Sequence, residues 1–531
     1  MNPLAPRNIG RRGYEAAELT RLTEDFKRTP VAPNQDVRSA FSALVARSRE
    51  LYQNSSHVKG FVHFRLPSNV LGADGIQISP QIRRTRGGEG ALNGLANRRI
   101  RDSWRAWSRR GECTMDGESS FADVQKQILE AIVRDGEVLV QHVRGRRAGN
   151  AWNYRLHVLE AEHLDVTYDS RAGPDARVIM GVEIDQWRRR RGYWVQTENP
   201  YDLSFTFLNY QRTRVDADDM IHPFVKMYPS QLRGISWLHA GASDGNMLAK
   251  YREAELVAAR AAASKAYAYV PKDEISTPLQ GVKQVVGEDG RPQYVIEEEV
   301  EPGQVLQAPP GYDITSLDPT HPSGNFSDFE KAVLRGMAAG LGASYHGFSG
   351  DLEAVNYSAA RAGAIDEREV WRTLQRWFTQ HVLEPIFEAW LDMAMLGSEL
   401  RLPPQIRPQI LEGVKWRPRG FQWIDPAKES SATATELESK LTSRRRVLAA
   451  RGEDFEELVA ELVEERALLE AAGMSDNVQA QPGQNLGDDD QDENQDATDE
   501  NADADGDDSD ADVSSVRRPR GRRRGRRNRG R

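Results

Sequence analysis

Apolar residues recur at helical spacing in several long stretches of the chain. Apolar residues lie one or two helical turns apart in the first of these stretches, at Phe41, Leu44, Val45 and Leu51. This spacing predicts helical structure over 36–70. Residues 234–269 are rich in Ala, Leu, Glu, Lys and Arg without a proline, which predicts one long helix of about 45–50 Å. The same criteria predict helices over 98–109, 121–134, 325–341 and 359–396, the last kinked at Pro385, and one or two helices over 430–472.

Alternating apolar and polar residues between the helical stretches predict strands. Asp74-Gly75 and Asp135-Gly136 are turn signals, each placed directly before a predicted strand. A segment rich in proline and glycine, 270–322, contains two further short β-like runs. The predicted strands lie at 137–143, 154–159, 178–184, 193–196, 220–224, 283–286 and 293–296. The pattern as a whole predicts an α+β protein.

Charge is distributed unevenly, although the net charge of the 531 residues is only -9. Residues 488–512 hold fourteen acids and no base, and the last fifteen residues hold ten arginines and no acid. Such a tail cannot bury apolar surface, and we expect it to be disordered from 473 to 531. The arginines are expected to attract phosphate without sequence preference; a solubility role or pairing with the acidic run stays open. They are Arg517, Arg518, Arg520, Arg522, Arg523, Arg524, Arg526, Arg527, Arg529 and Arg531.

Signatures of catalysis are missing from the sequence. It contains no G-x-x-x-x-G-K-S/T phosphate-binding loop and no H-E-x-x-H motif, and no pair of carboxylates stands out as catalytic. His157 and His163 flank Glu160 and Glu162, but alternation in this region favours strand edges over a shared metal ion. We therefore predict a protein without catalytic residues, cofactor or metal.

Compartment and membrane association are also constrained by the sequence. The single cysteine, Cys113, excludes an intrachain disulfide and a cysteine zinc site, and indicates synthesis in a reducing cytoplasm. No stretch of about 18 uncharged apolar residues is present, so we expect no membrane span.

A series of short motifs over some 400 positions resembles the lambda-type family of phage portal proteins. The most specific run is Ile221-His-Pro-Phe, followed by Pro229-Ser-Gln-Leu-Arg-Gly-Ile-Ser-Trp-Leu. Other matching blocks are Arg134-Asp-Gly-Glu-Val, Ala338-Ala-Gly-Leu-Gly, Asn356-Tyr-Ser-Ala-Ala-Arg and Trp423-Ile-Asp-Pro. The segment after Tyr345, His-Gly-Phe-Ser, departs from the proline-containing loop usual in the family.

The resemblance implies a portal fold, with a β-containing wing, long stem helices, a small clip insert and a helical crown. A dodecameric ring at one capsid vertex is implied, and charged stem residues such as Arg252, Glu253 and Arg260 either pair across subunits or face solvent. The implied segments are an arm (1–35), the wing (36–233), a stem helix (234–269), the clip (270–322), a second stem helix (325–341), a channel loop (342–358), a long wing helix and return (359–429), the crown (430–472) and the tail (473–531).

The resemblance also implies the site and its partners. Asn356, Tyr357 and Ser358 are expected to line a channel for double-stranded DNA, with Arg361 touching phosphate; Ser358 is equally suited to cap a helix that begins at Ala359. The clip is expected to bind the terminase large subunit and then the head–tail adaptor. Further implied partners are other copies of the chain, the major capsid protein and, as an additional candidate, a scaffold.

Two other functions are compatible with parts of the sequence. A packaging nuclease would need a cluster of acidic metal ligands and Mg²⁺ stimulation. A DNA-binding head scaffold or adaptor would be monomeric or filamentous. The long helix beside the clip-like insert favours the portal, a virion component through which the viral genome is packaged and ejected.

Overall fold

The computed structural model describes most of the chain before the C-terminal tail. The described residues are 21, 24–27, 29–83, 92–173, 175–202, 211–263, 266–271, 283–286, 292–295, 312–317, 326–353, 357–397, 399–421, 426–453 and 455–472. The predictions for most of the N-terminal arm and for the tail fall outside them. The chain divides into two compact units, residues 1–462 and 463–531, and the core, the sheets and the candidate site all lie within the first.

Helices and strands alternate in long blocks. The α-helices are α1 (Pro33–Asn54), α2 (Ser56–Lys59), α3 (Leu66–Val70), α4 (Gly94–Trp107), α5 (Phe121–Arg134), α6 (Ala242–Ala263), α7 (Phe326–Gly340), α8 (Tyr345–Ser349), α9 (Tyr357–Phe378), α10 (Glu384–Leu396), α11 (Arg407–Gly413), α12 (Pro426–Glu438), α13 (Arg444–Arg451) and α14 (Phe455–Ala471). The strands are β1 (Gln77–Pro80), β2 (Leu139–Arg144), β3 (Tyr154–Leu159), β4 (Ser170–Arg171), β5 (Ala176–Ile179), β6 (Val182–Asp185), β7 (Arg190–Gln196), β8 (Arg212–Asp216), β9 (Met220–Ile221), β10 (Ala266–Pro271), β11 (Lys283–Val286), β12 (Pro292–Val295), β13 (Tyr312–Leu317) and β14 (Val414–Arg417).

Aromatic side chains pack α4, α5 and α10 together. Trp104 is surrounded by Trp107, Phe121 and Trp390 with ring centroids 4.8–5.1 Å apart, mostly edge to face. These rings are buried. Trp371 of α9 joins the same core, so it packs in the protein interior as its helical spacing indicates, and is not available for base stacking.

Two antiparallel sheets follow this helical core. A three-stranded sheet has the order β3-β2-β9, and a five-stranded meander runs from β4 to β8 in chain order. Helix α1 covers the meander: Val37, Phe41 and Val45 share a buried cluster with Val182 and Tyr193. Apolar residues of α1 at helical spacing therefore bury the inner face of the sheet.

A buried ion cluster joins the two sheets to the turn after α5. Glu137 binds the Arg233 guanidinium (Nε to Oε1, 2.6 Å) and His222 Nε2 (2.8 Å), and all three side chains are fully buried. Arg233 also donates to the carbonyls of Ala161, Leu164 and Met180. Glu137, His222 and Arg233 belong to sequence motifs that carry the family resemblance. The buried cluster therefore brings these motifs together in space.

Several predicted helices are confirmed by the structure. The prediction over 121–134 matches α5, where Ser120 and Asp123 form a reciprocal capping box. The prediction over 325–341 matches α7 within one residue at each end. The prediction over 98–109 matches α4, which begins four residues earlier.

The single long helix predicted over 234–269 is wrong in extent. A 3₁₀ turn at Trp237–Gly241 precedes α6, which ends at Ala263, and the chain then enters strand β10. Helix α6 is therefore about 33 Å long. Strand β10 pairs with β13, Tyr269 opposite Ile314, a distant partner that helical spacing cannot reveal.

Four other boundaries also differ from the predictions. The strand predicted over 178–184 is a hairpin, β5 and β6, which turns at Met180 and Gly181. The helix predicted over 359–396 is α9 and α10, separated by a π-helical turn at Thr379–Leu383 directly before Pro385. Because proline cannot donate to the preceding turn, a π-helical turn accommodates it without breaking the helix.

The segment predicted to form one or two helices over 430–472 contains three, α12, α13 and α14. The strand predicted over 220–224 is the two-residue strand β9.

The proline- and glycine-rich segment forms a small sheet of its own. Its strands are ordered β11-β12-β10-β13, all antiparallel. The predicted strand 283–286 is confirmed, and the strand predicted over 293–296 begins and ends one residue earlier. The sheet is inserted between α6 and α7.

Candidate functional site

The predicted channel loop, 342–358, contains a short helix. After α7 the chain turns at Gly342 and forms α8, whose first turn is capped by Ser344, with Gly347 N donating to Ser344 Oγ at 2.9 Å. Gly350 follows in the left-handed conformation (φ 78°), which glycine adopts without strain. The prediction of a loop over 342–358 is therefore wrong at residues 345–349, which form α8.

Two charged side chains hold the N-terminal side of this segment. The Arg65 guanidinium donates to the carbonyls of His346 and Gly347 within α8. Glu367 of α9 accepts a hydrogen bond from Ser344 Oγ at 3.2 Å, and burial raises the pKa of Glu367. A Cβ atom on Gly347 would lie 2.3 Å from Glu367 Oε1, so a larger residue there would displace the Glu367 carboxylate from its present position.

The other end of the segment is tied to α7. Tyr345 donates its hydroxyl proton to Asp351 Oδ2 at 2.8 Å, and Lys331 of α7 binds Glu353 at 3.1 Å. Asp351 N donates to Ser349 Oγ at 3.1 Å. The segment is thus cross-linked by hydrogen bonds and ion pairs from three elements and is positioned as a unit.

The predicted channel residues lie where this segment enters α9. Asn356 lies outside the described residues, and Tyr357 is the first residue of α9. Ser358 is exposed and Arg361 is half-buried, three residues apart and so on one face of the helix. The prediction that Ser358 caps a helix beginning at Ala359 is wrong, because α9 already includes Tyr357 and Ser358. The ten arginines of the tail lie outside the described residues.

Helices α6 and α7 lie side by side in opposite directions. Met337 packs on Gly241 and Gly245 near the start of α6, and the Tyr251 ring lies 5.5 Å from Phe326 near the start of α7. Arg252 pairs with Glu330 of α7 and donates to His57 Nε2 at 2.9 Å. The charge of Arg252 is therefore already balanced within its own chain.

Residue types that bind metals do not cluster in the described part of the chain, where no group of three His, Cys, Asp or Glu side chains lies in ligating positions. His157 lies in β3, and His163 Nδ1 lies 3.0 Å from the Gln196 carbonyl. Burial raises the pKa of Cys113 to about 12, so it is an unreactive thiol. Among the same residues no helix is long and apolar enough to span a membrane.

Sequence reasoning did not find the residues that position the channel segment. Arg65 and Glu367 are separated by about 300 positions, and neither has a spacing that indicates their shared contact with α8. The members of the Glu137 cluster belong to motifs that the sequence showed, but the motifs did not reveal that the three side chains meet.

Known proteins similar to this chain were found by sequence and by structure. A probable portal protein of Halomonas phage phiHAP-1 is 32% identical over 456 residues, 86% of each chain. Portal protein B of Escherichia phage lambda is 22% identical over 473 residues, 83% of this chain and 87% of that one. Among solved structures, the neck of an empty gene transfer agent particle has a TM-score of 0.41 and 15% identity, and covers 77% of this chain and 93% of its own.

The family match is extensive. The model of the phage portal protein family, lambda type, matches residues 19–375, about two thirds of the chain. This range includes the three-stranded sheet, the five-stranded meander, α6, α7 and the whole candidate channel segment. The chain belongs to the lambda family of phage portal proteins.

Proposed function

We propose that this chain forms a closed dodecameric ring at one vertex of the capsid, and that double-stranded DNA passes through the ring during packaging and ejection. The observation that carries the proposal is the family match over residues 19–375. The protein acts as a conduit and a docking platform, and no bond chemistry takes place on it. It is assembled in the host cytoplasm and becomes part of the virion.

The segments of the portal plan fall on elements of the fold. Antiparallel helices α6 and α7 serve as the stem, and the small sheet between them serves as the clip. The two antiparallel sheets and the aromatic core form the wing, α9 and α10 cross it, and α12, α13 and α14 form the crown. The clip binds the terminase large subunit and afterwards the head–tail adaptor, and the outer surface contacts the major capsid protein or a scaffold.

Exposed apolar side chains on the stem support assembly of copies. Met247, Leu256 and Val257 of α6 are 67%, 61% and 58% exposed, and Phe329 of α7 is 50% exposed. A groove of about 740 Å³ between α1 and α6 is lined by Leu44, Met247 and Leu256. A ring needs two different complementary surfaces on each subunit, and the exposed apolar side chains of α6 and α7 supply apolar area for such contacts.

The start of α9 is the segment that faces DNA. Exposed Ser358 and half-buried Arg361 share one helix face directly after the anchored channel segment. A hydroxyl and one guanidinium give weak contacts with phosphate, which let the duplex slide instead of binding it tightly.

The arginine tail contacts the packaged DNA or a scaffold inside the head. Ten guanidiniums within fifteen residues give a strong, salt-dependent attraction for phosphate. Deletion of residues 488–531 is expected to impair genome packaging or head assembly. Unchanged packaging and assembly would remove this role while leaving the ring proposal intact.

Ring assembly is tested by native mass spectrometry of the purified full-length chain. The proposal predicts a dominant closed oligomer of twelve subunits, with neighbouring ring sizes as minor species. A monomer at all concentrations, or a continuous ladder of filament sizes, would contradict it and favour the scaffold or adaptor function.

A further inference from the structure

Three arginine side chains surround one aromatic ring at the outer side of α9. The guanidinium carbons of Arg368, Arg372 and Arg419 lie 5.5, 5.7 and 6.0 Å from the centroid of Phe421. Two belong to α9 and the third to the turn after β14. We call these four residues the Phe421 arginine cluster.

The cluster carries more positive charge than its acidic neighbours offset. Arg372 pairs with Glu369, and Glu429 interacts with Arg368. Arg419 donates to the Ser68 carbonyl and to Asn69 Oδ1, which are neutral groups. Among the residues that the structure describes, Glu369 and Glu429 are the carboxylates seen to interact with these guanidiniums.

Repulsion among the three cations is only partly screened. Because each lies within 6.0 Å of one point, no two guanidinium carbons are more than about 12 Å apart, at most about one and a half Debye lengths at physiological salt. Partial burial lowers the pKa of Arg368, and Arg372 and Arg419 lower it further against the opposing effect of Glu429. A cation–π contact with Phe421 attracts each guanidinium but does not neutralise it.

Solvent reaches the cluster. The Arg372 side chain is 56% exposed, Arg419 is exposed and Arg368 is half-buried. One arginine would be enough to cover an aromatic ring, so packing alone does not account for three. An anion arriving from outside can pair with two or three of these guanidiniums at once.

The cluster lies beside the anchored channel segment. Glu367, next to Arg368 in α9, binds Ser344 before α8. Val370, between the two arginines of α9, lies 3.6 Å from the position of a Cβ atom on Gly342. The same two turns of α9 therefore hold the channel segment on one side and carry the arginine cluster on another.

We propose that the Phe421 arginine cluster is a second contact for the phosphate backbone of duplex DNA, in addition to Ser358 and Arg361. This inference rests on the proposed function. Arginines held against a ring present their charge without reading bases, which suits a duplex of any sequence. The two carboxylates keep the contact weak enough for the duplex to move.

The proposal is tested by fluorescence anisotropy with a labelled duplex and the full-length protein, at several salt concentrations between about 50 and 200 mM. Arg372→Gln is expected to weaken binding and to reduce the slope of log K against log salt by about 0.9 for each phosphate that the variant no longer neutralises. Glu369→Gln frees Arg372 and is expected to strengthen binding, an effect that a purely structural role would not produce. Arg177→Gln, an exposed change of equal charge on β5, is the matched control and should leave the slope unchanged.

The outcomes separate this inference from the ring proposal. If Arg372→Gln and Glu369→Gln both form rings and bind DNA as the parent protein does, the cluster is not a DNA contact and the ring function stands. If these variants change the binding of polyglutamate but not of DNA, an acidic protein partner replaces DNA and the inference is also overturned. Failure of the parent protein to form rings would count against the proposed function itself.

Discussion

At the residue scale, the Glu137 cluster places three ionisable side chains in the protein interior, where they contact one another. Burial alone would raise the pKa of Glu137, but the charge of Arg233 and the hydrogen bonds from His222 and Arg233 lower it to about 2, so the carboxylate stays ionised. The Arg233 guanidinium in turn binds three backbone carbonyls that are shielded from water. Glu137 and Arg233 satisfy each other's charge, and neither can be removed alone without leaving a buried charge or polar group unpaired.

Replacement of Arg233 by methionine is therefore expected to reduce the free energy of unfolding by about 3–5 kcal/mol. The loss arises because Glu137 keeps a buried, unpaired charge. The double variant Glu137→Gln with Arg233→Met should lose less than the two single changes added together. Urea denaturation of the four proteins measures this coupling, and strict additivity would show that the two residues act independently.

Acidification is expected to destabilise the wing through His222. Burial lowers its pKa to about 4, whereas an unfolded histidine titrates near 6.5, so the unfolded chain takes up the proton first. The contribution is intact above pH 6.5 and is lost as the pH falls towards 4, by up to about 3 kcal/mol. His142, whose pKa burial lowers to about 3, acts in the same direction.

Urea denaturation between pH 6.5 and pH 5.5 measures that slope where the unfolded chain protonates His222 but leaves Glu137 largely ionised. The variant His222→Asn should show a clearly flatter dependence than the parent protein. An equal slope in both proteins would mean that His222 titrates normally in the folded state.

At the element scale, the channel segment is positioned by neighbours that are far away in sequence. Helix α8 has only five residues and cannot be stable alone. Its position depends on Arg65, on Glu367 and on the ion pairs of Lys331. The anchored segment then determines where α9 starts and therefore where Ser358 and Arg361 stand.

The variant Arg65→Gln is expected to loosen this segment without unfolding the protein. A glutamine is too short to reach both the His346 and Gly347 carbonyls, so two hydrogen bonds are removed. Hydrogen–deuterium exchange should become at least several-fold faster at the amides of residues 344–351, with exchange in α5 unchanged. Unaltered exchange in 344–351 would show that Arg65 does not anchor the segment.

The sequence predicted elements well where a local pattern determines them. The predicted range 121–134 coincides with helix α5, because the apolar spacing covers the whole helix and the capping box of Ser120 and Asp123 stabilises its first turn. The end of α6 and the hairpin at Met180 were missed, because β10 and β5 are stabilised by partner strands and not by their own spacing. The anchors of the channel segment were missed for the same reason, since tertiary contacts between distant residues leave no periodic signal.

At the scale of the whole molecule, helix α6 carries large apolar side chains that lie exposed in the part of the chain that the structure describes. In the described residues α6 buries Leu248 but leaves Met247, Leu256 and Val257 largely in solvent. A second copy of the chain accounts for this exposure in the proposed ring. Closure of the ring then places many copies of each weak DNA contact around one axis. Together these contacts retain the DNA, although none of them binds it tightly.

A charge at an exposed apolar position of α6 is expected to prevent ring assembly while leaving the fold intact. The variant Val257→Asp places a carboxylate at a position that is 58% exposed in the single chain, so the change in melting temperature of the monomer should be small. Size-exclusion chromatography should show loss of the ring species. The matched control Val459→Asp, at an exposed site of α14, should still assemble into rings. If the two variants assembled to the same extent, α6 would not belong to the interface between subunits.

The central claim, a closed ring around a DNA channel, is tested most directly by negative-stain electron microscopy of the purified protein viewed down the particle axis. The account predicts class averages of closed rings with a central hole and about twelve lobes. Monomers, or filaments without a hole, would contradict it.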